Sequence, residues 1–64
     1  MRVNGEDRTL TETTTLLGFL KTGGYDDKLV AVELNGEIVP RTAFGNVLLT
    51  DADVVEILHF VGGG

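Results

Sequence analysis

Two Asn-Gly pairs, Asn4-Gly5 and Asn35-Gly36, restrict the fold of this 64-residue chain more than any other feature of its sequence. Asparagine and glycine both tolerate the positive φ that the central positions of a tight hairpin turn require. Runs with apolar residues at alternate positions adjoin both pairs, as expected for strands with one buried face. Each pair therefore predicts a β-hairpin, one at the start of the chain and one in its middle.

The same alternation predicts which residues of the hairpins face the core. They are Met1, Val3, Leu10, Val30, Val32 and Leu34. Leu10 would lie in a returning strand formed by "RTLT", and the strand "EIV" would end at Pro40, which cannot donate a hydrogen bond to a sheet.

A short helix is predicted between the hairpins. Leu16, Phe19 and Leu20 have the spacing of one helical stripe. A threonine of the run 13–15 would cap its start, and the following Gly-Gly pair would end it in the left-handed conformation. Gly18 lies inside the helix and should cost about 1 kcal/mol relative to alanine.

The remaining third of the chain predicts short elements and one longer strand. Residues 41–46 should form an irregular or 3₁₀ turn, 47–49 a short strand and 51–53 a turn. In the last strand, Val55 and Ile57 would share one face. The opposite face would carry Glu56, Leu58 and Phe60. The sequence therefore predicts an α+β domain, a sheet of four to five strands with one main helix that covers only one sheet face.

Composition excludes several classes of function. The chain has no cysteine and one histidine, His59, so disulfides, thiolate metal sites and multi-histidine metal sites within the chain are excluded. The formal charge of −5 disfavours nucleic acid as a partner; it fits a protein with a positive docking surface, and acidic solubility explains it equally well. No apolar run approaches the roughly 20 residues that span a bilayer, and no signal-peptide core is found, so we expect a cytoplasmic protein without a membrane partner.

The sequence ends in three glycines, Gly62, Gly63 and Gly64. They have no side chain to contribute to a core. Residues 1–61 are therefore predicted to form the domain, and 62–64 a flexible tail. The tail is either a frayed end or linker remnant, or a narrow arm that delivers the last carboxylate.

Two runs, "VAVELNGEIVPR" at 30–41 and "DADVVEILHFVGGG" at 51–64, resemble the sulfur carriers of thiamin biosynthesis, the ThiS family. The similarity extends over essentially the whole chain. It implies the ubiquitin-like β-grasp fold with a mixed sheet. Ala52 departs from the family pattern, which more often has glycine at this turn position.

The resemblance also implies a mechanism in which the protein is a carrier and not an enzyme, with no bound cofactor and no metal. An adenylating enzyme of the ubiquitin-activating type would use ATP to activate the carboxylate of Gly64. Sulfur supplied by a cysteine desulfurase would replace AMP and give a thiocarboxylate, which thiazole synthase would consume. Gly62 and Gly63 would thread the channel of the partner, since a tail without side chains fits where the walls exclude water.

Ordering such a tail has an entropic cost that contacts elsewhere must offset. We expect these contacts on the sheet face away from the helix, where an apolar surface would be edged by two acids. This docking patch comprises Ala31, Glu33, Glu56, Leu58 and Phe60. Contiguous exposed apolar surface often marks an interaction site, although scattered exposed hydrophobes are also ordinary.

Other candidate residues have simpler explanations. His59 is the only candidate general base, but the chain has no serine or cysteine nucleophile, so we interpret it as structural. Asp51 and Asp53 suggest turn chemistry more than a metal loop. Arg41 is either a solvated charge or a loop anchor.

Three alternatives to a thiamin sulfur carrier remain open from the sequence. The first is a carrier for molybdopterin or another sulfur-requiring pathway. The second is a ubiquitin-like modifier, in which Gly64 would form an isopeptide bond. The third is a β-grasp binding module that makes no use of its tail. An enzyme in its own right is the least supported class, because no cofactor motif or nucleophile set is found.

Overall fold

The computed structural model describes residues 1–60. The elements are β1 (Arg2–Val3), β2 (Glu6–Asp7), α1 (Leu16–Thr22), β3 (Val30–Leu34), β4 (Glu37–Ile38), a 3₁₀ helix (Arg41–Asn46) and β5 (Val54–His59). The five strands form one sheet in the order β2-β1-β5-β3-β4. β1 and β5 are parallel and the other neighbours are antiparallel, so the sheet is mixed. This arrangement confirms the predicted β-grasp fold.

Both Asn-Gly pairs form the predicted turns. Asn4 and Gly5 have φ of 49° and 82°, and Asn35 and Gly36 have φ of 52° and 87°. Positive φ at both central positions is the signature of the type I′ turn, whose twist matches that of the flanking strands. The turns therefore set the register of β1 with β2 and of β3 with β4.

The two asparagines also tie the hairpins to β5. The side chain of Asn4 accepts a hydrogen bond from the Ile57 amide at 2.7 Å and donates one to the Ile57 carbonyl at 3.2 Å. The side chain of Asn35 accepts from the Val54 amide at 2.9 Å and donates to Asp53 Oδ1 at 3.1 Å. Each asparagine thus stabilises its own turn conformation and the central strand together.

The helix α1 begins and ends as predicted. Thr15 is its N-cap and accepts a hydrogen bond from the Gly18 amide at 3.0 Å. A Cβ atom at position 18 would lie 2.9 Å from Thr14 Oγ1 and 3.3 Å from Thr15 Oγ1. Glycine at this position therefore leaves room for the capping hydroxyl. Gly24, with φ of 82°, ends the helix in the left-handed conformation.

The core lies between one face of the sheet and the two helical elements. Its buried residues are Met1, Val3, Leu16, Leu20, Val30, Val32, Phe44, Leu49, Val55 and Ile57. Phe19 was predicted on the buried stripe of α1, but it is only partly buried at the margin of this core. Within residues 1–60, no helix is long and apolar enough to cross a bilayer.

The prediction that Leu10 lies in the second strand is wrong. β2 ends at Asp7, and Leu10 packs against the core from the loop that follows. Its amide donates a hydrogen bond to Asp51 Oδ1 at 3.0 Å, so the loop is held by the turn before β5 and not by the sheet.

The predicted strand at 47–49 is also absent from the described residues. Leu48 forms only an isolated bridge with Thr15. The Leu16 amide donates to the Val47 carbonyl at 2.8 Å, and the Leu49 amide donates to the Thr14 carbonyl at 3.0 Å. The backbone groups of this segment thus form their hydrogen bonds with residues at the start of α1. They do not pair with a neighbouring strand, so the segment does not become part of the sheet.

Asp53 provides a pH-dependent contribution to stability. Hydrogen bonds from the Asn35 side chain and from the Thr50 amide hold the pKa of the Asp53 carboxyl below its usual value. Because this pKa is lowered on folding, ionised Asp53 stabilises the folded state above the unfolded-state pKa of about 3.9, and the contribution is lost as the pH falls through the lower folded-state pKa.

We therefore expect Asp53→Asn to lower the free energy of unfolding near neutral pH by about 1 kcal/mol, and the difference from the parent chain to shrink in acid. Urea titrations of both chains at several pH values measure this difference. A difference that stays constant from neutral to strongly acidic pH would contradict the assignment.

Candidate docking surface

The five residues proposed as the docking patch lie on the sheet face opposite α1. Ala31 of β3 is directly opposite Leu58 of β5. Leu58 is 55% exposed and Phe60 is 61% exposed, whereas Val55 and Ile57, at the alternate positions of β5, are buried in the core. The residues of the patch thus form one surface, because alternate residues of paired strands share a face.

Two carboxylates lie next to this apolar surface. Glu33 and Glu56 are direct partners across β3 and β5. Like charges in this position destabilise a sheet by roughly 0.2–1 kcal/mol, since their side chains are neighbours on the same face. A cationic side chain from a partner placed between them would relieve that repulsion.

Sequence reasoning missed three exposed apolar residues around the patch. Leu29 is 53% exposed, Ile38 is 65% exposed and Val54 is 42% exposed. Ile38 could have been identified from the sequence, because a two-residue turn at 35–36 sets the pairing of β3 with β4. That pairing places Ile38 directly opposite Glu33, on the same sheet face. The apolar surface is therefore broader than the predicted patch.

The described part of the chain ends at the apolar end of this surface, at Phe60. The amide of Phe60, the last described residue, donates a hydrogen bond to the carbonyl of Leu29 at 3.0 Å. Leu29 directly precedes β3, so Phe60 continues the line of β5 beside it. The tail residues Gly62, Gly63 and Gly64 lie outside the described residues.

Arg41 is a loop anchor. Its Nε donates to the Asp27 carbonyl at 3.1 Å, and its Nη2 donates to the Lys28 carbonyl at 3.0 Å. The two bonds hold the loop between α1 and β3. Of the two interpretations from the sequence, a solvated charge and a loop anchor, the second is confirmed.

His59 stacks on an aromatic ring. Its ring centroid is 5.4 Å from that of Tyr25, with an angle of 26° between the planes. Tyr25 lies in the loop that Arg41 holds, and sequence analysis did not single it out. This contact gives His59 a structural partner at the end of β5.

Asp51 and Asp53 belong to a turn. Asp53 Oδ2 accepts a hydrogen bond from the Thr50 amide at 2.8 Å, and Asp51 Oδ1 accepts from the Leu10 amide. Among residues 1–60, no group of three histidine, cysteine or acidic side chains is placed to hold a metal ion. Ala52 has no positive φ, so its departure from the pattern that the resemblance implies puts no strain on this turn.

Comparison with known proteins identifies the family. The model of the ThiS family matches residues 1–64. The sulfur carrier protein ThiS of Bacillus subtilis is 40% identical over 65 residues, which cover 100% of this chain and 98% of that protein. A crystal structure of the thiamine biosynthesis protein ThiS from Geobacter metallireducens has a TM-score of 0.83 at 38% identity, and the match covers 98% of this chain and 96% of that one.

A stretch similar to this chain also occurs within larger proteins. A thiazole synthase of Paramagnetospirillum magneticum is 42% identical over 62 residues, which cover 97% of this chain. The chain spans only 19% of the length of that synthase. The full-length family match, the full-length carrier relative and the superimposable fold agree with one another. This chain belongs to the ThiS family.

Proposed function

We propose that this protein carries sulfur on the carboxylate of Gly64 and donates it for thiazole formation in thiamin biosynthesis. The observation that carries the proposal is the ThiS-family match, which runs through residue 64. The Bacillus relative of nearly equal length, a sulfur carrier protein, supports the same role. The proposed protein is a cosubstrate and not a catalyst.

The chemistry requires activation of a poor electrophile. An oxygen of the Gly64 carboxylate attacks the α-phosphorus of ATP, pyrophosphate leaves, and an acyl-adenylate forms. A sulfur nucleophile then attacks the carbonyl carbon, and AMP leaves with the bonding electrons. When that nucleophile is a persulfide from the desulfurase, the product is an acyl disulfide, and a thiol must cleave its S–S bond by two-electron reduction to release the thiocarboxylate. Water must be excluded during both steps, because the adenylate would otherwise hydrolyse. Gly62 and Gly63 suit this requirement, since they add no side chain to the channel that admits the tail.

Two partners follow from the proposal. The first is an adenylating enzyme of the ubiquitin-activating type, with a cysteine desulfurase as the source of sulfur. The second is thiazole synthase, which we infer because a stretch similar to this chain occurs within proteins of that name. The occurrence of a carrier-like stretch in the same polypeptide as a protein of that name supports thiazole synthase as a partner of this chain.

The docking patch suits a partner with an apolar surface and at least one cationic side chain. Its apolar centre is Leu58 and Phe60, both more than half exposed. The opposed Glu33 and Glu56 would bind the cation. Phe60 belongs to the patch and precedes Gly64 by only four residues in the sequence, so a partner bound at the patch would lie close in sequence to the carboxylate that it must activate.

A growth test distinguishes this function from its alternatives. A bacterial strain that lacks its own thiamin sulfur carrier should grow without thiamin when it expresses this chain. The same chain without Gly64 should not restore growth, because the reacting carboxylate is displaced by one residue. Urea unfolding of the shortened chain provides the control, and we expect its stability to be unchanged.

Each alternative predicts a different result. Restored growth with the shortened chain would favour a binding module that makes no use of its tail. Rescue of molybdopterin synthesis without rescue of thiamin synthesis would favour the other carrier pathway. Covalent adducts between the chain and lysines of host proteins would favour a ubiquitin-like modifier.

A further inference from the structure

The last two described residues, His59 and Phe60, are held by one loop and by the residue that directly follows it. This exit loop, residues 25–28, is the middle part of the connection between α1 and β3. The ring of Tyr25 at its start stacks on the imidazole of His59. Leu29, which directly follows the loop, accepts the hydrogen bond from the Phe60 amide. The end of β5 is thus held through a side chain at His59 and through the backbone at Phe60.

Arg41 fixes the exit loop from a distant part of the sequence. Its guanidinium binds the carbonyls of Asp27 and Lys28, the two residues directly before Leu29. Within the loop, Asp26 Oδ1 accepts from the Lys28 amide at 2.9 Å, and the Asp26 carbonyl accepts from the Leu29 amide at 2.9 Å. The planar fork of arginine can hold two carbonyls at once, which the point charge of lysine does less well.

Gly23 provides the space for the ring of Tyr25. A Cβ atom at position 23 would lie 3.1 Å from Cε2 and 3.2 Å from Cδ2 of that ring. The φ of Gly23 is −79°, which any residue adopts, so the backbone itself does not require glycine here. The missing side chain therefore allows the ring to lie where it meets His59.

We propose that Tyr25 and Arg41 are positioning residues for sulfur loading, which fix the direction in which the chain leaves the domain after Phe60. This inference rests on the proposed function, because it concerns delivery of Gly64 to the adenylating site. Neither residue belongs to the docking patch. Their loss should leave the affinity for the adenylating enzyme unchanged and slow the chemical step, since small misplacements of a reacting group are costly in rate.

The test is ATP–pyrophosphate exchange catalysed by the adenylating enzyme, measured as a function of carrier concentration. Tyr25→Leu removes the stacking ring, and Arg41→Gln removes the two-carbonyl clamp. We expect kcat to fall about tenfold in each variant while KM changes less than about twofold. Tyr25→Phe keeps the ring and should retain the parent kcat. Lys28→Gln removes a positive charge from the same loop without removing the clamp, and should also behave as the parent.

A spectroscopic readout tests the positioning without the enzyme. In Tyr25→Leu, the ring protons of His59 should lose the ring-current shift that stacking produces, and the Phe60 amide should exchange with solvent faster than in the parent chain. Gly23→Ala provides a second variant that leaves Tyr25 and Arg41 in place. It should shift the His59 ring protons in the same direction because it displaces the Tyr25 ring. Urea unfolding confirms that each variant is folded at the temperature of the assay.

The two proposals fail in different ways. If the parent chain supports exchange, and Tyr25→Leu and Arg41→Gln match it in kcat, the positioning role is overturned and the carrier function stands. If Phe60 exchange and the His59 resonances are also unchanged, the exit loop does not hold the end of β5. If the parent chain supports no exchange with an enzyme shown to be active, the carrier function is overturned, and positioning for loading is overturned with it.

Discussion

The variant Leu58→Asp should fold as the parent chain does and bind the adenylating enzyme roughly 30-fold or more weakly. Leu58 is 55% exposed at the centre of the docking patch, so its loss removes no core packing. A carboxylate at this position would have to be desolvated in the complex, next to the existing acidic pair of Glu33 and Glu56. Titration calorimetry with the purified enzyme measures the change in affinity.

Leu48→Asp is the matched control for this variant. Leu48 is 61% exposed, but it lies beside the start of α1 and outside the sheet. Its replacement introduces the same charge at a similar exposure, and affinity for the enzyme should not change. If both variants bind the enzyme equally weakly, the effect is due to net charge. If Leu58→Asp binds as tightly as the parent chain, the proposed docking patch is wrong.

The variant Phe44→Ala should lose about 3–5 kcal/mol of folding free energy, which is most of the stability of a domain this small. Phe44 is 2% exposed and is the largest fully buried side chain of the core. It packs into the core from the 3₁₀ helix, so its truncation leaves a cavity in the core beside that helix. Urea unfolding followed by circular dichroism measures the loss.

Phe60→Ala is the control for this second variant. The substitution removes the same side chain from a site that is 61% exposed, and it should change the free energy of unfolding by less than about 0.5 kcal/mol. A loss below about 1.5 kcal/mol in Phe44→Ala would mean that the site collapses around the cavity, and that the 3₁₀ helix is not a fixed part of the core.

Local signals in the sequence were sufficient for most of the fold. The Asn-Gly pairs specify their turns through backbone conformation alone, and the alternation in β3 and β5 identifies which face of each strand is buried. The exposed sheet face, and with it the position of the proposed docking patch, follows from that alternation once a single helix is available to cover the sheet. Resemblance to the ThiS family indicated the β-grasp fold with its mixed sheet, which local patterns do not determine.

The errors arose where tertiary contacts replace local ones. Leu10 follows a strand-like run, but its amide binds the Asp51 side chain and not a neighbouring strand. Residues 47–49 form a short apolar run, but their backbone forms hydrogen bonds with the start of α1 and not with a strand. The contacts of Arg41 with the exit loop and of Tyr25 with His59 join residues far apart in sequence, so periodicity and propensity give no signal for either.

The intact mass of the protein after incubation with ATP, a sulfur source and the adenylating enzyme of its host tests the carrier function most directly. The account predicts that one oxygen is replaced by sulfur in the full chain, and that the chain without Gly64 keeps its original mass. An unchanged mass of the full chain, under conditions in which the enzyme is shown to be active, would contradict the carrier function.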